Sequence, residues 1–145
     1  MSAADEEVEA VKLATMVTGE QLEMILTEWD TPLVIDAYAT WCGPCLLMSP
    51  EFEAAAKDLE GKVRFVKLDT DKEEEMATRL AINGLPTLLF LDKFTPPEGK
   101  DEEVSEEQQA ATAVLKGRVE GALRRDDIIA MCEHHFFGGP EPKIS

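Results

Sequence analysis

The sequence predicts an α/β fold: a central mixed sheet with helices on both faces. Three observations carry this. Helix-period and strand-period segments alternate through the first half of the chain, which implies parallel pairing there. The last two strand-like segments follow one another with no helix between them, which implies an antiparallel hairpin. The run TPLVIDAYA (31–39) is apolar almost throughout, as a central strand covered on both faces must be. A chain of 145 residues fits one domain and can bury a sizeable core.

The elements follow in order. A short strand is expected at 11–16. Thr18, Gly19, Glu20 and Gln21 read as a capping box, with Val17 and Leu22 placed for a hydrophobic staple. Leu22, Ile25, Leu26 and Trp29 then recur at helical spacing on one face. The strand 31–39 begins beside Pro32. The next helix starts near Cys42 and Cys45 and carries Phe52, Ala55, Ala56 and Leu59 on one stripe; Pro50 inside it predicts a kink. Gly61 ends that helix, and KVRFVKLD (62–69) alternates as a strand. Thr70 to Glu73 read as a second capping box, opening a helix through about Leu80. PTLLFLD (86–92) and TAVLKGRV (112–119) are the hairpin strands. Asp126 or Asp127 opens a final helix with Ile129, Cys132 and Phe136 on one face.

This gives an acidic N-terminal tail at 1–7, a domain at 8–137 and a flexible tail at 138–145. The stretch 93–111, KFTPPEGKDEEVSEEQQAA, is far longer than a usual hairpin loop and reads as an acidic surface insertion. The net charge is −16. Residues 1–10 hold four acids and no base, and 93–111 hold six acids and two bases, so these two stretches supply half the total. Such a balance argues against direct nucleic-acid binding, which needs a basic surface. No apolar run approaches the roughly 18–20 residues that cross a bilayer. The acidic start, MSAADEEVEA, matches neither a secretory signal nor a transit peptide. The protein is therefore expected to work where it is made, or to be a mature form behind a new Met1.

Two of the three cysteines sit in ATWCGPCLLMSPE (39–51). A zinc site, a structural disulfide or a redox dithiol would each use such a pair. Zinc needs about four ligands. Cys132 with His134 or His135 could complete a set, but the period of Cys132 points it into the core. A bridge closing so short a loop restricts the unfolded chain little. The redox reading explains more. A strand feeds the pair and a helix follows, so Cys42 meets the unpaired N–H groups and dipole of a helix N-terminus, which favour a thiolate. Cys45 lies one turn on and more sheltered, Pro44 pre-sets the first turn, and Trp41 offers a flat apolar cover. His134 and His135 read as complements to a helix C-terminus. DTDKEEE (69–75) hints at a calcium loop but has Glu74 where glycine is needed, so no metal site is assigned.

WCGPC after a strand carrying an aspartate resembles the active site of the thioredoxin family. NGLPTLLF (83–90) looks like that family's cis-proline segment, and VEGALRRDDI (119–128) like its late Gly-Ala-Leu turn. The resemblance covers about 8–137 apart from the insertion, and is greatest to the plastid type called thioredoxin z. It implies the thioredoxin fold and a protein-disulfide reductase without a bound cofactor. Cys42 would attack a target disulfide and Cys45 would resolve the mixed disulfide. Asp36 would relay the proton of Cys45, and Lys67 would pair with Asp36. Pro86 would be cis and face the disulfide, Leu85 would offer its backbone to an extended target, and Trp41, Gly43, Pro44, Gly84 and Gly121 would line the docking surface. Tyr38 replaces a tryptophan common in the family. The resemblance further implies a monomer in the chloroplast stroma, the cytoplasm being the alternative. Its partners would be a thioredoxin reductase, ferredoxin-linked in plastids, and disulfide-containing targets, with fructokinase-like proteins of the plastid transcription machinery as associates. Two rival readings are a scaffold subunit whose dithiol is incidental and a thiol oxidase.

Overall fold

The computed structural model describes residues 13–28, 30–94 and 113–143. The expectations placed on 1–12, on Trp29, on most of the 93–111 insertion and on the last two residues lie outside these.

The elements are β1 (Thr15–Met16), α1 (Gly19–Ile25), β2 (Leu33–Tyr38), α2 (Gly43–Asp58), β3 (Arg64–Asp69), α3 (Glu74–Arg79), β4 (Thr87–Lys93), β5 (Ala113–Glu120) and α4 (Arg125–Phe137). They form one five-stranded sheet in the order β1-β3-β2-β4-β5. Strands β1 and β2 pair with β3 in parallel, and β4 and β5 form the antiparallel hairpin. The two halves join between β2 and β4, which run antiparallel. Helix α3 is short. Six residues rise about 9 Å as a helix, whereas a six-residue strand spans about 20 Å. Helix α3 does not carry the chain back along the sheet, and β4 enters at the end where β3 leaves.

Every residue of β2 is buried, because helices cover both faces. Val34 joins Phe52, Ala55 and Ala56 of α2, Ile128 and Cys132 of α4, and Phe65, Leu88 and Phe90 on one face. Leu33 and Ile35 join Leu22 of α1, Met76 of α3, and Val66, Leu68 and Leu89 on the other. The expected stripe of Phe52, Ala55, Ala56 and Leu59 is buried throughout, and α2 runs through Pro50. Removing the larger of these side chains, such as Phe52, Leu22 and Ile35, from water supplies about 1.5–3 kcal/mol each.

The Thr18 capping box forms as expected: Gln21 N–H donates to Thr18 Oγ1 at 3.1 Å and Thr18 N–H donates to Gln21 Oε1 at 2.8 Å. Val17 and Leu22 share a cluster, as a staple requires. The second capping box does not form. Helix α3 follows Glu73, which makes no side-chain cap. Asp69 takes the role one turn earlier, its Oδ1 accepting the N–H of Asp71 at 3.0 Å and of Lys72 at 3.3 Å. Helix α4 also departs from expectation. It begins at Arg125 rather than at an aspartate cap, because Glu51 Oε1 on α2 accepts the Arg125 N–H at 2.9 Å.

Glu120 pairs with Thr87 at one end of the hairpin, and Lys93 with Ala113 at the other. Pairing shifts between Phe90 and Leu91, leaving Lys116 as the extra residue of a bulge. The connection from Phe94 to Ala113 thus leaves from the end of the sheet opposite the start of β4.

Candidate active site

Strand β2 delivers the chain to buried Ala39, and a turn through Thr40 and Trp41 sets Cys42 at the N-cap of α2. Cys42 N–H donates to Ala39 O at 3.2 Å, and Cys42 Sγ accepts the Cys45 N–H at 3.2 Å. The two cysteines are joined in a disulfide with Cα atoms 5.3 Å apart. Cys45 is the more sheltered of the two, as expected, but only marginally. Cys42 is 5% exposed and Cys45 4%, both covered by Tyr38, Ala39 and Leu85. One helical turn after a strand end brings both sulfurs under the same lid.

The far wall is the segment before β4. The Leu85–Pro86 peptide is cis, as expected. Thr87 Oγ1 donates to Gly84 O at 2.6 Å and Gly121 N–H donates to Pro86 O at 2.8 Å, so β5 holds this segment in place. Gly121 has φ +110°, a conformation that favours glycine. Leu85 packs on the cysteine cluster, and among the described residues nothing pairs with its backbone. A Cβ added to Gly84 would lie 3.0 Å from Glu120 Oε2, so the Glu120 carboxylate rests on the bare backbone there.

The near wall follows β3. Trp41 is 71% exposed, and its Nε1–H donates to Asp71 Oδ2 at 2.8 Å. Gly43 and Pro44 are exposed beside it. The expected docking residues therefore converge on the disulfide from two sides. Sequence reasoning missed Leu46 and Leu47, which are 63% and 76% exposed on the outer face of α2. The signal was present: the buried stripe through Cys45, Met48 and Phe52 leaves positions 46 and 47 facing outward.

Asp36 is 1% exposed on β2, and its Oδ1 has no partner. Burial pushes its carboxyl up from 3.8 to about 7, against the opposing pull of the Lys67 charge. Lys67 is the register partner of Asp36 on β3, yet no ion pair between them forms among the described residues. The Lys67 ammonium instead donates to Ser49 Oγ at 3.2 Å and lies 4.9 Å from the Tyr38 ring centroid. The expected pairing is thus an influence through space rather than a contact. A buried proton-holding group near neutrality, on the strand that feeds a dithiol, is suited to general acid–base work.

Cys132 is fully buried on α4, as its period suggested, and burial pushes its thiol up to about 12. His134 Nδ1 meets Gly139 O at 3.0 Å in the turn that ends α4. His135 also stands in the last turn of α4. It packs on Phe90 with centroids 5.3 Å apart, and burial first, then the His134 charge, lowers its pKa. A groove of about 890 Å³ runs between α2 and the start of α4 past Glu51 and Arg124 and does not include the cysteines. A site that reads an extended protein segment needs an open edge rather than a cavity.

Comparison with known proteins agrees with this geometry. The family model described as Thioredoxin matches residues 13–116. The thioredoxin-like protein CITRX, chloroplastic, of Oryza sativa subsp. indica is 46% identical over 90 residues, covering 61% of this chain and 46% of that protein. A thioredoxin of Borreliella burgdorferi is 44% identical over 77 residues, covering 50% of this chain and 62% of that protein. The chain spans about half the length of the curated chloroplastic relatives it matches. The crystal structure of chloroplastic thioredoxin z superposes with a TM-score of 0.64 at 34% identity, covering 83% of this chain and 92% of that one. The Trx4 domain of ERdj5, with a TM-score of 0.69 at 21% identity, shares the fold.

Proposed function

Because the chain belongs to the thioredoxin family, we propose that it is a thiol–disulfide oxidoreductase working as a protein-disulfide reductase. The observation that carries this is Cys42 at the α2 N-cap, bonded to Cys45 and accepting its N–H. When the pair is reduced, the same N–H and the helix dipole favour a Cys42 thiolate.

The Cys42 thiolate attacks one sulfur of a target disulfide. A Cys42–target disulfide forms, the target S–S bond breaks, and the first target thiolate departs. The Cys45 thiol then passes its proton toward Asp36, whose carboxyl sits near neutrality. The Cys45 thiolate attacks Cys42 Sγ, closing the Cys42–Cys45 bond and releasing the second target thiolate. Two electrons leave the dithiol and reduce the target to two thiols once these are protonated. Lys67 biases Asp36 toward its charged form. The unpaired Leu85 backbone beside Pro86 receives the target as an added extended segment, with Trp41, Gly43, Pro44, Gly84 and Gly121 around it.

The chloroplastic relatives support a plastid setting. That setting brings a ferredoxin-linked thioredoxin reductase as electron source and fructokinase-like proteins as associates. Trapping tests the reading. Cys45→Ser should hold target proteins as mixed disulfides that dithiothreitol releases, and Cys42→Ser should capture none. Equal capture by both variants would instead favour a scaffold whose dithiol is incidental.

A further inference from the structure

The sheet order places two carboxylates on opposite sides of the disulfide. Cys42 follows β2, which lies between β3 and β4. Asp71 follows β3 and is held against the site by the Trp41 indole N–H at 2.8 Å. Glu120 ends β5, pairs with Thr87 at the start of β4, and lays its carboxylate on Gly84. Both acids are exposed. Neither has an ion-pair partner among the described residues. The nearby cation Arg118 is committed to the carbonyls of Leu80, at 2.9 Å, and Ala81. The expected docking residues themselves, Trp41, Gly43, Pro44, Gly84, Leu85, Pro86 and Gly121, include no charge.

We propose that Glu120, aided by Asp71, is a specificity-determining residue that selects target segments carrying lysine or arginine beside the disulfide. The inference rests on the reductase reading and names its substrate class. An extended target pairing with Leu85 passes Gly84, and there its side chain meets Glu120. A cation in that place gains an attraction to a carboxylate with no competing partner; an acidic residue there meets repulsion from both walls. Such a cation also lowers the pKa of the target's own cysteine, making it a better leaving group when Cys42 attacks. Selection and reactivity then favour the same target.

Two disulfide-linked peptides of equal length test this, one with lysines flanking the cystine and one with glutamates. The reduced protein is mixed with each, and the second-order rate of peptide reduction is measured at low and high salt. The wild type should prefer the lysine peptide by about fivefold at low salt, with the ratio shrinking as salt screens the exposed charges. E120Q should lower the ratio and E120K should abolish or invert it. A wild-type ratio near one, or a ratio that E120Q leaves in place, would overturn the proposal. Reduction of neither peptide would overturn the reductase reading and the proposal with it.

Discussion

Asp36 and Lys67 stand side by side in the register of β2 and β3, yet the ammonium donates to Ser49 and one Asp36 oxygen goes unpartnered. A carboxyl so placed keeps its proton to about pH 7, where an ordinary one loses it near 3.8. Between these values the folded state binds more proton than the unfolded state. Stability therefore falls as pH rises through that window and levels off above it.

Replacing Asp36 by Asn should remove that slope. About three pH units at about 1.4 kcal/mol each put the gain at pH 8 on the order of 4 kcal/mol, with little change near pH 4. Urea unfolding of the oxidised protein at both pH values measures it. The same variant should slow peptide-disulfide reduction at neutral pH, and the rate profile should lose its inflection near 7. Parallel unfolding curves for the two proteins across pH would contradict the assignment.

Replacing Lys67 by Met should raise the Asp36 midpoint further, because the lysine charge is what opposes desolvation. Lys67→Arg should restore most of it. A carbon-13 NMR titration of the Asp36 carboxyl reads the shift directly, and an unmoved midpoint would remove Lys67 from the electrostatics.

Gly117→Ala should destabilise the hairpin's contact with α4. A Cβ there would sit 2.2 Å from His135 Nε2, so the ring must leave its place on Phe90. Overpacking of this kind costs about 1–3 kcal/mol. The Gly117→Ala, His135→Ala double variant should lose less than the sum of the singles, since the clash disappears with the ring. Strict additivity in urea melts would count against the packing.

Cys132 should resist alkylation in the folded protein. It is fully buried and its thiol titrates only near 12, whereas the reduced Cys42 lies at a helix start. Intact-mass analysis after iodoacetamide at pH 8 should show Cys132 unmodified until denaturant is added. Early modification would reopen a regulatory role for it.

Much of this was legible in the sequence where the cause is local. The apolar run at 33–38 announces a strand covered on both faces, Thr18 and Gln21 sit at capping-box spacing, and the cysteine pair lies between a strand and a helix. What was not legible depends on residues far apart in the chain. Arg125 begins α4 because Glu51, on another helix, supplies the acceptor. Lys67 finds Ser49 rather than Asp36 because α2 crosses that face of the sheet. The His135 ring packs on Phe90 because Gly117, on another strand, leaves room for it. The failed cap at Thr70 is the exception. Asp69 is a local acceptor for the amides two and three residues on, its carbonyl takes the Glu73 N–H that the box would have used, and the Thr70 hydroxyl donates to Tyr38 O.

The hairpin runs from Thr87, beside the cysteines, to Lys93 at the opposite end of the sheet, where the chain next returns at Ala113. A seven-residue strand is about 23 Å long. A fluorophore or surface-immobilisation handle attached at Lys93 would stand that far from the reacting sulfurs, leaving the mouth open to large clients while electron exchange is watched one molecule at a time.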